Sequence, residues 1–433
     1  MSMEIDLPEG WAVKTLQDVS AGVNAIVDGP FGSHLKNSDF IDDPINGVPV
    51  LTTKNLEGNY SNDKVRFISK SKFEQLKRSQ VSSGDILVAK IGSIGKIGIY
   101  PEGFRTAIIP ANLLKFTVSK GENFRYVLYY LKSLGLQNKI RDIATATAQP
   151  AFNVTKFRRL PIPIPKRNVQ NIIVDKIEEL FSELDKGIEN LKIAQQQLKV
   201  YRQAVLKWAF EGKLTNENVK DGKLPERWEW VKLVTLGELG RGKSKHRPRN
   251  EKSLFGGKYP FIQTGEVKAA GHTIKSFSQT YSEKGLAQSK LWPRGTLCIT
   301  IAANIAETAF LGFDGCFPDS IVGFTANEKL INPRFIFYFF KGNQSRLEAF
   351  APATAQKNIN LNTLENLIIP YCSLDVQQQI VQEIESRLSV CDNMEETITD
   401  SLQQAEALRQ SILKMAFEGK LVRSIKFDVY EQS

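Results

Sequence analysis

Two long stretches of the chain place an apolar residue at every seventh position. The first runs from position 177 to 205 and the second from 384 to 412. A heptad repeat kept over this length is typical of a coiled-coil helix, because it lines one face with side chains that a partner helix can bury. Gly212 and Gly419 follow the last apolar turns, where a helix often ends on a left-handed residue;. We expect the seams of the two helices at Ile177, Leu184, Leu191, Leu198, Val205, Ile384, Ile398 and Ile412.

The segment before each heptad stretch carries short apolar runs separated by turn residues. In the first segment, 48–52, 65–68, 85–90 and 113–118 are predicted to be strands, and 126–134 is predicted to be a helix;. The predicted fold class is α+β, with two pseudo-repeated globular domains joined by two long antiparallel coiled-coil helices. Turns between the short strands are predicted at Gly84, Gly92, Gly95 and Gly98.

The chain repeats the same order of motifs in its second half. The opening Leu-Pro-Glu-Gly-Trp at 7–11 returns as Leu-Pro-Glu-Arg-Trp at 224–228, and Ala-Phe-Glu-Gly-Lys-Leu at 209–214 returns unchanged at 416–421. A period this long is a tandem pair of domains, because each copy can bury a core of its own. The predicted boundaries are 7–166 and 224–373 for the globular domains, and 167–214 and 374–421 for the helices.

Composition and charge restrict the class of partner. The chain has 433 residues, with 57 Lys and Arg against 47 Asp and Glu, a formal net charge of +10. This excess attracts acidic partners, so nucleic acid is the first partner to test. The four cysteines contain no C-x-x-C pair and the three histidines share no metal spacing, so we predict neither a disulfide framework nor a metal site;. The densest apolar run, 335–340, is too short to span a membrane, which favours a soluble cytoplasmic protein;.

One segment matches a nucleotide-binding motif literally. Residues 237–244 fit G-x-x-x-x-G-K-S, the phosphate-binding P-loop;. That mechanism requires a helix to start at the lysine, whereas Lys243 leads into a charged stretch that contains Pro248;. A P-loop ATPase is therefore the alternative function, and a coiled-coil scaffold without DNA affinity is a further alternative. The cations between 241 and 249 favour a loop that contacts phosphates and releases counterions.

Several motifs together resemble a known family. These are the repeated Leu-Pro-x-x-Trp openings, Asp-Gly-Pro-Phe-Gly-Ser at 28–33, Gly-Asp-Ile-Leu at 84–87, Leu-Pro-Ile-Pro at 160–163 and the doubled Ala-Phe-Glu-Gly-Lys-Leu. Their order resembles the specificity subunit of type I restriction-modification systems over nearly the whole chain. The usual Pro-x-x-Glu-Gln of the family, before each helix, is replaced here by residues 167–170 and 374–377, which keep only the glutamine.

The resemblance implies a DNA-binding subunit that performs no catalysis itself. Each globular domain would read one half of a bipartite, asymmetric sequence in double-stranded DNA, and the helices would set the gap and bind two methyltransferase subunits. Restriction subunits with translocase activity would join the complex. S-adenosylmethionine, ATP and magnesium are expected on the partner subunits, with no cofactor, metal or catalytic residue in this chain. From their motif positions, the predicted DNA-binding residues are Lys36, Lys54, Lys90, Lys96, Lys243, Lys245, Arg247, Arg249 and Gln263.

Overall fold

The chain folds as two compact units that share both long helices. The structure is a computed structural model that describes residues 7–32, 34–57, 65–145, 149–216, 219–220, 222–246, 248–302, 304–349 and 359–421. Unit 1 contains the chain up to Leu191 and the segment from Asp400 onward, and unit 2 spans Lys192–Thr399. Each unit therefore combines one globular domain with part of each long helix.

The described residues of the globular domain of unit 1 form short strands and four α-helices. A four-stranded antiparallel sheet has the order β2-β10-β7-β8, and a five-stranded sheet has the order β3-β5-β4-β9-β6. The strands are β1 (Ala12–Thr15), β2 (Ile26–Asp28), β3 (Phe40–Ile41), β4 (Val48–Val50), β5 (Arg66–Ile68), β6 (Gln80–Val81), β7 (Ile86–Ala89), β8 (Ile97–Ile99), β9 (Ala107–Ile108), β10 (Leu113–Phe116) and β11 (Pro161–Ile164). The helices are α1 (Lys70–Gln75), α2 (Phe124–Lys132), α3 (Leu134–Asp142) and α4 (Val154–Arg158).

The strands and the helix predicted for this domain are present with small shifts of their ends. Gly84, Gly92 and Gly95 have positive φ and lie in turns, as predicted. The prediction of a turn at Gly98 was wrong, because Gly98 lies inside β8. A β-carbon at Gly98 would lie 2.8 Å from the α-carbon of Leu56. Close approach of two backbones, rather than a turn, therefore requires glycine at this position.

Unit 2 repeats this arrangement with longer strands. Its main sheet has the order β13-β19-β17-β18-β15, and β14 pairs with β16 in a separate antiparallel ladder. The strands are β12 (Glu229–Lys232), β13 (Gly237–Arg241), β14 (Phe255–Phe261), β15 (Thr273–Ile274), β16 (Gln279–Tyr281), β17 (Leu297–Thr300), β18 (Thr308–Leu311), β19 (Ile321–Ala326) and β20 (Ile368–Tyr371). The long helix α5 (Arg167–Phe210) precedes them, and the others are α6 (Thr264–Ala269), α7 (Glu283–Ala287), α8 (Pro333–Ala349), α9 (Leu361–Glu365) and α10 (Leu374–Phe417).

The long helices α5 and α10 contain 44 residues each and run antiparallel to each other within each unit. In unit 1, Asp185 of α5 pairs with Arg409 of α10, and earlier residues of α5 share a core with later residues of α10. In unit 2, Arg202 pairs with Asp392 at 2.7 Å and Glu395 at 2.9 Å, while Val205 shares a core with residues that precede these acids in α10. The predicted antiparallel pair of coiled-coil helices is confirmed.

Most of the predicted seam positions are shielded from solvent. The structure places Leu184 and Leu191 in half-buried positions. The buried seam residues are Ile177, Leu198, Val205, Ile384, Ile398 and Ile412. Burial every seventh residue agrees with the heptad pattern, because the pattern keeps one face of the helix against its neighbour.

The end of each long helix enters a domain core. In unit 1, the Phe417 ring lies edge-on to Tyr126 at 5.2 Å and to Tyr130 at 5.0 Å between ring centroids. In unit 2, Phe210 contacts Phe335 and Phe339 in the same way. The last turn of α10 is therefore part of the core of the first domain, although it follows the second domain in sequence.

A glycine lies two residues after each of these phenylalanines, which are the last residues of the two helices. Gly212 and Gly419 have φ values of 77° and 71°, in the left-handed region that a C-terminal cap uses;. A β-carbon at Gly212 would lie 2.2 Å from Pro225, and one at Gly419 would lie 2.2 Å from Pro8. Each Leu-Pro-x-x-Trp opening thus packs against a helix end, which explains why the two motifs are repeated together.

A buried glutamine joins the start of each long helix to its domain. The Gln170 amide donates to Glu122 Oε2 at 2.6 Å and accepts from the backbone N–H of Asn123 at 2.7 Å. Gln377 accepts from the backbone N–H of Asn332 at 2.7 Å and donates to the Cys372 carbonyl, also at 2.7 Å. Both glutamines are fully buried, so these bonds satisfy groups that would otherwise lose their water partners;.

Two further features concern the chain as a whole. No helix among the described residues is long and apolar enough to cross a membrane. The four cysteines are all buried, and all belong to unit 2: Cys298, Cys316, Cys372 and Cys391. Burial raises the pKa of the Cys298 and Cys316 thiols, and it raises that of Cys372 to about 12.

Candidate nucleic-acid interface

Two of the predicted DNA-binding lysines of the first domain lie on exposed turns. Lys36 precedes a short 3-10 turn, and its backbone N–H donates to Asp39 Oδ2 at 2.7 Å. Lys54 lies in the 3-10 turn Thr53–Glu57, which begins three residues after the end of β4. Both residues are exposed, so their charges can reach a phosphate in solution;.

Lys90 and Lys96 have different surroundings. Lys90 is buried, its ammonium lies 2.5 Å from Asp28 Oδ2, and it also lies over the ring of Phe31. This pairing argues against a phosphate contact by Lys90, because the charge is already neutralised inside the domain. Lys96 lies in the turn before β8 and lines a surface cavity together with Arg141. The sequence predicted no partner for Lys90, since Asp28 is 62 positions away.

Replacing Lys90 by methionine tests its structural role. We expect Lys90→Met to lower the free energy of unfolding by about 2–3 kcal/mol, because it leaves the largely buried Asp28 carboxylate without its counter-charge. The double variant Lys90→Met with Asp28→Leu should recover part of this loss, and urea denaturation followed by circular dichroism would measure both. An unchanged midpoint in the single variant, together with weaker DNA binding, would return Lys90 to the interface.

The P-loop alternative is wrong. Residues Gly237–Arg241 of the motif form β13, which pairs antiparallel with β19. Lys243 and Ser244 lie in a segment without helix, so the structure offers no helix N-terminus at the lysine. Backbone N–H groups that hold phosphate in a P-loop come from a loop followed by a helix. Here part of the motif is already used in a sheet.

The predicted basic loop of the second domain, 241–249, is anchored from several sides. Arg241 donates to the Asp319 carbonyl at 2.5 Å, and Arg249 pairs with the Asp319 carboxylate at 2.8 Å. The backbone N–H of Lys245 donates to the Gln288 side chain at 2.6 Å. Lys243 and Lys245 are exposed, and Arg247 lies outside the described residues. The described part of the loop thus presents Lys243 and Lys245 from a backbone that the Gln288 side chain holds at Lys245.

Glu251 holds the far end of this loop. Its carboxylate accepts from Lys284 at 2.6 Å and also contacts His246 and Ser253. These hydrogen bonds, that from Lys284 first, lower the pKa of Glu251 to about 2. The carboxylate stays charged in the neutral range and keeps the loop attached to α7.

A cavity opens beside the basic loop in the second domain. We call it the second cavity; its volume is about 700 Å³, and its walls include Arg249, Phe255, Gln263, Gln279 and Ser320. Gln263 and Gln279 are exposed, and the Gln263 amide donates to the Gln279 carbonyl at 3.0 Å. The backbone N–H of Gln263 is fixed by Glu266 at 2.8 Å. Gln263, a predicted site residue, is therefore one of a pair of ordered amides.

The first domain has a cavity at the corresponding place. This first cavity has a volume of about 540 Å³, and its walls include Asn37, Phe40, Thr52, Arg66 and Asn112. The Arg66 guanidinium lies 3.5 Å above the centroid of the Phe40 ring and donates to Asn37 Oδ1 at 3.2 Å. Arg66 is exposed, with its planar group held between a ring and an amide.

Strand register shows that the two cavities are equivalent. Val50 lies opposite Arg66 in the β4–β5 ladder, and Phe261 lies opposite Gln279 in the β14–β16 ladder. Thr52 lies two residues after the end of β4, and Gln263 lies two residues after the end of β14. In both, the backbone N–H donates to a side chain three residues later, Asn55 or Glu266. The same pocket therefore occurs twice, with different polar groups on its walls.

Sequence reasoning missed Arg66 and Gln279 as candidate site residues. Both lie on strands that return to β4 and β14 after loops of different length, so a simple offset does not align them. Arg66 and Gln279 could have been identified by pairing the strand predicted after position 52 or 263 with the strand that precedes that position. Among the described residues, no group of three His, Cys, Asp or Glu side chains is placed to hold a metal ion.

Comparison with known proteins identifies the class. The model of the family described as "Type I restriction modification DNA specificity domain" matches residues 8–193 and again 225–404. The chain belongs to this family and contains its domain twice. The match covers both globular domains and much of both long helices.

Type I specificity subunits from several organisms align with most of the chain. The StySPI specificity subunit of Salmonella potsdam is 23% identical, and the EcoKI specificity subunit of Escherichia coli K12 is 25% identical. Each alignment covers 96% of this chain and 90% of the relative. A type I specificity subunit from Methanocaldococcus jannaschii, MjaVIII, is 25% identical over 87% of the chain and 90% of its own length.

Solved structures share the fold. A chain from a study of complex assembly and conformational transition in the type I restriction-modification system matches with a TM-score of 0.71 and 17% identity, over 96% of this chain and 99% of that one. The HsdS subunit from Thermoanaerobacter tengcongensis matches with a TM-score of 0.57 and 17% identity, over 96% and 98%. At these identities the likeness concerns the fold alone.

Proposed function

We propose that this protein is the DNA sequence-recognition subunit of a type I restriction-modification complex, without catalytic activity of its own. Each globular domain reads one half of a bipartite, asymmetric target in double-stranded DNA. The observation that carries this proposal is the equivalent cavity in both domains, built on matching strands but lined with different polar side chains. Two domains with different polar side chains in equivalent cavities suit a DNA target whose two halves differ in sequence.

Charge and family membership support DNA as the partner. The net charge of +10 favours a polyanion, and exposed cations lie on turns or loops near both cavities;. Phosphate contacts by such cations would fix the position of each domain on the duplex, while the cavity side chains would face base edges. The proposed domains are 7–166 and 224–373.

The long helices have two proposed roles. They set the gap between the half-sites, and they bind two methyltransferase subunits, which restriction and translocase subunits then join. S-adenosylmethionine, ATP and magnesium belong to those partners, and the target adenine is flipped into a methyltransferase pocket. We also propose a cytoplasmic location, where such a complex meets the DNA of the cell. The exposed apolar side chains Ile193, Val200, Val390 and Met394 on α5 and α10 support a protein partner.

Domain exchange tests the function directly. The chain should be co-expressed with its cognate methyltransferase subunit, and methylated adenines should be mapped across a genome by single-molecule sequencing. We expect a two-part motif with a fixed gap. Exchange of 7–166 for the corresponding domain of a relative should change one part only, and exchange of 224–373 is the matched control that should change the other.

The same experiment separates the proposal from a scaffold without DNA affinity. A scaffold would leave the methylated motif unchanged after either exchange, and the purified complex would not bind duplex containing that motif. Either result would contradict the proposed function.

A further inference from the structure

The two cavities differ in the chemistry that they offer to a base pair. In the major groove, guanine presents two acceptors, N7 and O6, whereas adenine presents an acceptor at N7 and a donor at N6. Two parallel N–H donors therefore suit guanine, and an adjacent donor and acceptor suit adenine. The cavities differ at the strand position opposite the ends of β4 and β14, where the first has the guanidinium of Arg66 and the second has the amide of Gln279. The second cavity also has the Arg249 guanidinium on its wall, but that group is paired with Asp319.

The guanidinium of Arg66 is held in a position from which it can donate two parallel hydrogen bonds to guanine. Phe40 holds the guanidinium plane from one side at 3.5 Å, and the bond to Asn37 uses one of its five N–H donors;. A planar group that is already fixed loses little conformational freedom when it binds, so its discrimination improves. The cavity walls at Thr52 and Asn112 restrict which base pair can approach.

The amides of Gln263 and Gln279 can offer a donor and an acceptor to adenine. Because the Gln263 amide donates to the Gln279 carbonyl, each side chain fixes the orientation of the other. This bond leaves the carbonyl oxygen of Gln263 as an acceptor and the amide nitrogen of Gln279 as a donor for a base edge;. Gln279 occupies the register position that Arg66 occupies in the first domain.

We propose that these cavities are the base-reading pockets, with Arg66 selecting a G·C pair in one half-site and the Gln263–Gln279 pair selecting an A·T pair in the other. This inference rests on the proposed function, since it assigns side chains to the reading of each half. It makes Arg66 and Gln279 specificity-determining residues at a single shared position of the fold.

Methylation mapping of point variants tests the assignment. In the complex with the cognate methyltransferase, Arg66→Gln should relax one G·C position in the half-site read by the first domain. Discrimination there should fall by about 10-fold to 100-fold, in line with the loss of one bidentate contact. Gln279→Arg should instead shift one position of the other half-site from A·T toward G·C.

The control is Arg78→Gln, the same substitution at an exposed arginine of the first domain. It should leave both halves of the motif unchanged. Arg66→Lys covers the case in which Arg66→Gln fails to fold or to assemble, because lysine keeps the charge but cannot donate two parallel bonds. The complex with this variant should still methylate DNA, with relaxed selectivity at the same single position.

The outcomes distinguish this inference from the proposed function. A two-part motif that stays fully selective in Arg66→Lys and in Gln279→Arg would overturn the assignment and leave the function intact. Equal relaxation of both halves, or an effect of Arg78→Gln like that of Arg66→Gln, would also overturn it. If the wild-type complex yields no two-part motif, the proposed function itself fails.

Discussion

Phe417→Ala is expected to destabilise unit 1 by about 3–5 kcal/mol, the usual cost of removing a large buried aromatic side chain. The phenylalanine lies edge-on to Tyr126 and Tyr130 inside the core of the first domain. Its removal leaves a cavity that these rings cannot easily fill, since both tyrosine hydroxyls are bound to backbone carbonyls of β11. Urea denaturation followed by circular dichroism should show an earlier transition for this unit.

Met415→Ala is the matched control for this prediction. Met415 is two positions away on the same helical turn but is 39% exposed, so its truncation should cost well under half as much;. Phe210→Ala should give the equivalent loss in unit 2, where Phe210 contacts Phe335 and Phe339. Equal effects of Phe417→Ala and Met415→Ala would contradict the packing of the α10 end into the first domain.

Removal of the four cations Lys243, Lys245, Arg247 and Arg249 should flatten the salt dependence of DNA binding. Each phosphate contact contributes about 0.9 to the slope of log K against log salt concentration, so the quadruple alanine variant should lose about two to four units of slope. Titration of a duplex that contains the methylated motif with the purified complex, at several salt concentrations, measures this change.

A control variant separates direct contacts from long-range attraction. Lys220, Lys223, Lys232 and Lys329 are exposed residues of unit 2 that lie outside the basic loop. Replacement of these four lysines by alanine removes the same charge. If the slope of log K against log salt concentration depends on direct phosphate contacts, it should change by less than about one unit in this variant. An unchanged slope in the basic-loop variant would remove this loop from the interface.

The repeat and the helices could be predicted from local patterns, because both leave regular signals in the sequence. Seven-residue periodicity is sufficient to predict α5 and α10, and glycine after the last apolar turn marks their ends correctly. The short strands β4, β5, β7 and β10 were also found, since each is an apolar run between turn residues.

Contacts between distant segments could not be predicted in this way. Nothing near Phe417 indicates that it packs against Tyr126, and the acid that neutralises Lys90 lies on another strand. The candidate reading position of Arg66 and Gln279 depends on strand pairing across loops of unequal length. Cations on exposed turns are easier to predict from the sequence, because a short stretch of sequence shows both the turn residues and the charge.

The uneven distribution of cysteine gives the protein a built-in reporter. All four thiols are buried in unit 2, and the sequence has no others. Because only an exposed thiolate reacts readily with an alkylating reagent, the labelling rate of the native chain follows the opening of this unit and is silent about the other. Mass spectrometry of labelled chains can therefore time the opening of one half of the molecule without any engineered probe.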